Sequence, residues 1–242
     1  MRIMQELKRE LLSGKKINVV FLGDSITSTE WVHPNWREII EYVLKEELTR
    51  AVGEGSWRIP SWGIRCFNFG FDGSTTTDLL DRLGDMLRVE PYIAIYLENT
   101  NEIHYDFTPR QHSRNVSMLV GGLLKACRHV IVCNSIAGNK REYNKRIAGY
   151  AEAVRGMRFG RGITFIDTFS EYAKYDLSRF FTFKSEGNPF LRLKPGDTDF
   201  VHPNQLGNAY IAKIVLEKGF GIGFDPELYI KSTRRGEMFP RY

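Results

Sequence analysis

Cysteine is scarce in this chain, which has Cys66, Cys127 and Cys133 among 242 residues. The count is odd and no paired spacing joins them, so neither a disulfide framework nor a zinc site is expected. Thiols in or beside apolar segments read as buried and free. Long apolar runs are missing too: nothing approaches the roughly 18 residues of a membrane span. Residues 1–16 are charged and amphipathic, without the apolar core of a secretory signal. A reducing cytoplasm is the default location that follows, with export by other routes left open. Nor does one sign of charge dominate, the formal net charge being +5. One small basic cluster, Lys231, Arg234, Arg235 and Arg241, reads as a solvated tail, and nucleic-acid binding is not favoured. No internal repeat, low-complexity tract or linker divides the sequence. One domain over residues 1–242 is therefore expected, at a length within reach of a single α/β unit. A hydrophobic content of 42% supplies its core.

What is present is an alternation of short apolar runs with helical patterns. Residues 17–22 (INVVFL) run straight into Gly23-Asp24-Ser25, the signature of a buried strand ending in a turn. Further strands are expected at 64–69, 92–97, 130–133 and 163–166. Helices are expected at about 2–13, 36–49, 75–87, 111–127, 140–158 and 203–217. Their apolar stripes include Ile3, Leu7, Leu11 and Leu12 in the first, and Ile39, Ile40, Val43, Leu44 and Leu48 in the second. Residues 26–35 read as a polar and aromatic loop, and 51–63 as a connection. Residues 168–200 are less regular and rich in aromatics. Strands alternating with helices predict a parallel sheet covered on both faces, with right-handed crossovers.

In such a sheet the carboxyl ends of the strands share one edge, where ligands bind. Ser25 follows the first strand. Asn68-Phe69-Gly70-Phe71-Asp72-Gly73 follows from the second, and Asn99-Thr100-Asn101-Glu102 from the third. A late segment adds Asp199-Phe200-Val201-His202-Pro203-Asn204. Serine attacks a carbonyl only when a base takes its proton, and histidine is the usual base. A carboxylate holds the imidazole tautomer and stabilises its charged form. Glycine N–H and asparagine amide groups are donors suited to a developing oxyanion.

These segments resemble, in order over residues 17–217, the four blocks of the SGNH/GDSL hydrolase family. The resemblance implies a flavodoxin-like, three-layer α/β/α sandwich around a parallel sheet of about five strands. It implies Ser25 as nucleophile and, through its N–H, an oxyanion donor, with Gly73 and Asn101 as the other donors. Asp199 would orient His202, the general base. The third block departs from the family's usual Gly-x-Asn-Asp, so Asn99 offers an alternative to Asn101; if the glycine serves a tight backbone position, asparagine is among the least costly replacements. The activity implied is hydrolysis of a carboxylic ester through an acyl-enzyme, with a small-acyl or carbohydrate O-acetyl ester as substrate and no metal or organic cofactor required.

Each feature has a plainer reading. Asp24 or Ser25 alone is a common helix cap, and Asp24 is expected to bond the turn's backbone rather than to act in chemistry. Glu30-Trp31-Val32-His33-Pro34-Asn35 imitates the Asp199 block, and His33 reads as a loop residue near the pocket mouth. His104, His112 and His129 read as surface or structural. The aromatics between Phe169 and Phe190 are mostly packing, with some available to wall a pocket. Other functions remain open: an acyltransferase, lipase or thioesterase with the same triad, or a non-catalytic carbohydrate-binding relative. A metal-dependent phosphohydrolase built on Asp24, Asp72 and Asp199 lacks a convincing ligand cluster.

Overall fold

A computed structural model of the chain describes residues 2–53, 63–98 and 101–242. Most of the connection expected at 51–63, residues 54–62, and Asn99 of the third block lie outside the described residues.

Strand β1 (Ile17–Gly23) is buried almost throughout. It pairs in parallel with β2 (Ile64–Gly70) on one side and β3 (Ile93–Leu97) on the other. Strands β4 (His129–Cys133) and β5 (Ile163–Ile166) complete a five-stranded parallel sheet of order β2-β1-β3-β4-β5. Alternate residues of β1 face opposite cores, as the two-residue period of a strand requires. Ile17, Val19 and Phe21 join one cluster with Ile3, Leu7 and Leu11 of α1 (Arg2–Leu12), Trp36, Ile39, Ile40 and Val43 of α2 (Trp36–Val52), and Ile211 and Val215 of α8 (Gln205–Val215). Val20 and Leu22 join the other. There they meet Leu79 of α3 (Thr76–Asp81), Met86 of α4 (Leu83–Arg88), Val116 and Leu119 of α5 (Pro109–Leu123), and Val154 of α6 (Arg141–Arg155). The result is the expected α/β/α sandwich. Among the described residues no helix is long and apolar enough to cross a membrane.

Three local expectations are corrected. The helix expected at 75–87 is two helices, broken at Arg82, whose ψ of 0° leaves the helical range. The Arg82 guanidinium lies 4.3 Å from the ring centre of Phe71. Leu12 was expected in the buried stripe of α1 but is 56% exposed; one residue past Leu11, it is turned about 100° away from the stripe. The basic tail is not free chain. After a short helix, α7 (Thr168–Tyr172), and α8, residues Pro226–Arg234 form α9, capped by Asp225 and buried through Tyr229 and Ile230. The chain end folds back on α2, where the Tyr242 hydroxyl donates to Glu47 (2.9 Å) and Tyr42 donates to the Pro240 carbonyl (3.0 Å). The cations Lys231, Arg234, Arg235 and Arg241 are exposed on this folded segment.

The loop leaving β1 passes directly over the end of β2. A Cβ on Gly70 would lie 2.5 Å from the Ser28 nitrogen and 2.6 Å from the Thr27 carbonyl carbon, both backbone atoms with no flexible escape. Gly70→Ala is expected to lower unfolding free energy by about 1–3 kcal/mol in denaturant titration, the usual cost of overpacking. An unchanged transition midpoint would show that the loop gives way freely.

Candidate active site

Beyond β1 the chain makes a tight turn in which the amides of Thr27 and Ser28 both donate to the Asp24 carbonyl at 3.0 Å. The Asp24 carboxylate accepts from the Ile26 N–H at 3.0 Å, the backbone role read for it. Ser25 rides on this turn, 8% exposed. From β2 the chain turns through Gly73, whose φ of +69° is left-handed and suits glycine. After β3, Asn101 begins a single 3₁₀ turn, Asn101–His104, and its side-chain N–H donates to the Ser74 carbonyl at 3.0 Å. That bond ties the third loop to the second. Ser25, Gly73 and Asn101 together line a cleft of about 140 Å³.

The late segment reaches the same cleft because both its ends are anchored. The Asp199 N–H donates to the Phe183 carbonyl (2.9 Å), and Asn204 caps α8 by accepting from the Gly207 N–H (3.0 Å). Asn208 then locks α8 against α2 by accepting from the Trp36 N–H at 3.1 Å. Between these anchors His202 Nε2 lies 2.9 Å from Ser25 Oγ, and His202 Nδ1 lies 2.7 Å from Asp199 Oδ2. Asp199 Oδ1 accepts from the N–H groups of Val201 (2.7 Å) and His202 (3.1 Å). Burial opposes ionisation of Asp199, but the bonds and charge of His202, with those backbone donors, outweigh it and hold the carboxyl below its ordinary value. A hydroxyl, an imidazole and an ionised carboxylate in one hydrogen-bonded line can move a proton off the serine as it attacks a carbonyl.

The sequence also matches the family model described as GDSL-like lipase/acylhydrolase over residues 21–210. The chain belongs to the GDSL-like lipase/acylhydrolase family. It is an ester-hydrolysing enzyme of that family, with the SGNH hydrolase fold. No curated protein sequence matches it. Solved structures do. A catalytic mutant of an acetylxylan esterase from Geobacillus stearothermophilus is 19% identical, with a TM-score of 0.62, over 88% of this chain and 96% of that one. An α/β hydrolase from the metagenome of Lake Arreo is 17% identical, with a TM-score of 0.63, over 84% and 95%. A protein described as a GDSL-like lipase, from Parabacteroides merdae, is 17% identical, with a TM-score of 0.60, over the same shares of the two chains.

Several cleft residues of this GDSL hydrolase were not legible in its sequence. Trp31 lies flat on His202, ring centres 4.0 Å apart and planes 3° from parallel. Its indole N–H donates to Asp72 Oδ2 at 2.9 Å, and Asp72 Oδ1 accepts from the Ser28 hydroxyl at 2.5 Å. Asp72 therefore carries a structural load. The Asp24 carboxylate accepts from Ile26, Asp72 from Ser28 and Trp31, and Asp199 from Val201 and His202, and among the described residues no group of three or more His, Cys, Asp or Glu is placed to hold a metal ion. His33, expected near the mouth, instead faces Glu38 at 3.4 Å with a 65% exposed side chain, and it does not line the cleft. His104, expected at the surface or in a structural role, does line it, with Tyr143, Asn188 and Phe190. Of the aromatics between Phe169 and Phe190, Tyr172, Phe180 and Phe181 are buried in the core, and Phe190 reaches the cleft. His129 pairs with Glu6 at 2.8 Å.

His112 is fully buried behind the third loop. Its Nε2 lies 2.7 Å from Glu98, and its Nδ1 lies 3.3 Å from Glu102. Glu98 also accepts from the Ser135 N–H (2.8 Å), and Glu102 from the Thr76 N–H (2.6 Å) at the start of α3. Glu98 and Glu102 bracket the third loop, so His112 clamps both its ends. Thr76 links that clamp to the loop carrying Gly73. Burial disfavours the imidazolium, but the two glutamates outweigh it and raise His112 to about 10. Because the folded value lies above the ordinary 6.5, the stabilisation is complete below 6.5 and is lost as pH rises through about 10. His112→Gln is therefore expected to cost most stability near about pH 6, with the gap to wild type narrowing toward about pH 10 in denaturant titrations. A gap independent of pH would show an uncharged His112.

The stacked indole holds the His202 ring against rotation. Trp31→Ala is expected to lower kcat on a p-nitrophenyl ester about tenfold, and Trp31→Phe, which keeps an aromatic face, by less. Equal rates in wild type and Trp31→Ala would remove that role.

Proposed function

We propose that this hydrolase cleaves small-acyl or carbohydrate O-acetyl esters, with Ser25 as nucleophile, His202 as general base and Asp199 as its orienting acid. The observation that carries the reading is the unbroken line Ser25–His202–Asp199, at 2.9 and 2.7 Å, opening into the cleft that holds Gly73 and Asn101. Ser25 Oγ attacks the ester carbonyl carbon as its proton passes to His202 Nε2. The carbonyl oxygen becomes an oxyanion, received by the N–H groups of Ser25 and Gly73 and by the Asn101 amide. One Asn101 N–H is engaged by Ser74 and the amide carries a second. The imidazolium then protonates the leaving alkoxide, the alcohol departs, and an acyl-Ser25 ester remains. Water, deprotonated by His202, attacks that ester and releases the acid and free Ser25.

A cleft of about 140 Å³ suits a short acyl group better than a fatty chain. Exposed aromatics at its walls, Trp31, Tyr105 and Phe190, suit the faces of sugar rings. The acetylxylan esterase among the structural neighbours is in keeping with that choice.

The test is hydrolysis of p-nitrophenyl acetate and its longer-chain homologues by wild type and single variants. Ser25→Ala and His202→Ala are expected to lose about three to six orders of magnitude in kcat, while His33→Ala keeps most activity. Rates are expected to fall as the acyl chain lengthens. Activity that survives Ser25→Ala, or that His33→Ala rather than His202→Ala removes, would overturn the assignment. Addition of alcohols reads out transfer: ester products in place of free acid would make the enzyme an acyltransferase with the same triad.

A further inference from the structure

The catalytic cleft does not end at Phe190. A second cleft of about 310 Å³ adjoins it, sharing His104, Tyr143, Phe190 and Leu191 as a common wall. Its far side is basic. Lys140, Arg146 and Arg192 line it, and the one acidic residue there among the described residues, Glu142, is turned to Lys145 at 2.9 Å. Among the described residues none of these three cations pairs with a carboxylate. Many surface cations elsewhere do, as Lys45 with Glu41 (2.7 Å), Arg179 with Glu227 (2.7 Å) and Lys174 with Glu171 (2.8 Å).

Helix α6 begins at this cleft; no side chain caps it at Lys140, and the acid in its first turn is Glu142. The floor is aromatic: Phe200 packs edge-on to Tyr143 with ring centres 5.3 Å apart, and Lys140 Nζ stands 4.5 Å over the Phe200 ring. Phe190, 65% exposed, forms the ridge between the two clefts. Arg192 is held in left-handed backbone, at φ +56°, a conformation that costs a non-glycine residue energy and tends to occur where function requires it. The exposed ring of Phe190, beside cations of which Arg146 is held at the Ile103 carbonyl (2.6 Å) and none is neutralised by a carboxylate among the described residues, matches a sugar ring that carries an anionic substituent.

We propose that this second cleft is a subsite for a carboxylate-bearing sugar, and that the preferred substrate is an O-acetylated acidic oligosaccharide. A uronic acid residue occupies the basic cleft while a neighbouring acetylated sugar presents its ester to Ser25. The proposal rests on the esterase reading above for the ester end and on the basic cleft for the acid end.

The two ends are tested apart. Binding is measured by calorimetry on full-length Ser25→Ala protein, which needs no turnover. The ligands are acetylated xylo-oligosaccharides of one length, with and without a glucuronic acid branch, and a sulfated counterpart. The carboxylated ligand is expected to bind about tenfold more tightly than the neutral one at low salt, with the preference shrinking toward about 0.5 M salt. In Lys140→Gln/Arg192→Gln, both exposed positions, that preference is expected to fall to within about twofold. The salt titration gives the same reading with no substitution in the cleft. Equal affinity for neutral and carboxylated ligands, a preference for the sulfated ligand alone, or a preference that survives the double substitution overturns the subsite. Failure of the esterase reading is a different result: wild-type turnover of p-nitrophenyl acetate that does not depend on Ser25.

Discussion

A strand buried on both faces, with hydrogen-bonded neighbours on both edges, can offer chemistry only at its ends. That constraint on β1 organises this protein. Val20 and Leu22 are committed to one core, and Val19 and Phe21 to the other. The polar residues that follow Gly23 therefore collect at the carboxyl edge of the sheet. Parallel pairing brings the ends of β2 and β3 to the same edge, so three loops far apart in sequence become neighbours. The close crossing at Gly70 is the steric consequence of packing the first loop over the second strand.

Loops alone would not hold hydrogen-bond geometry, and this edge is cross-braced. Asn101 bonds to Ser74, Glu102 to Thr76, Ser28 and Trp31 to Asp72. Behind them the buried Glu98–His112–Glu102 cluster grips both ends of the third loop. Burying such charges is costly, and breaking one partner leaves the others uncompensated. The cluster is better understood as a device for fixing loop position than as a source of net stability. The same logic applies to Trp31, whose ring is spent on holding an imidazole rather than on filling the core.

The two adjoining clefts share a wall but differ in character. One is small, with backbone and amide donors beside a serine. The other is wider, aromatic and basic. A substrate that used both would be held at a distance from its reacting bond, and such remote binding energy can serve positioning at the reacting centre.

Local pattern by itself determined the five strands, the six longer helical segments, the sandwich they form and the four segments that carry Ser25, Gly73, Asn101 and the Asp199–His202 pair, but not the short helix α7 or the helix α9. Each rests on short-range signals: apolar periodicity, turn residues, and motifs of three to six residues. The break at Arg82 and the docking of α9 escaped that reading, because a helix-forming pattern does not say where tertiary packing interrupts it. Trp31 over His202, Asp72 beneath Trp31, His112 between two glutamates and the basic wall at Lys140, Arg146 and Arg192 were decided only by tertiary structure. Trp31 and His202, and Trp31 and Asp72, are tens of residues apart, and even the nearer members, such as Glu102 and His112 or Lys140 and Arg146, carry no spacing signal that says what they meet. His33 and His202 make the contrast plain. Both precede Pro-Asn and follow an acid by three residues, but one faces a surface glutamate and the other faces Ser25. Sequence names the imidazoles; which one meets the serine depends on where α8 is anchored against α2.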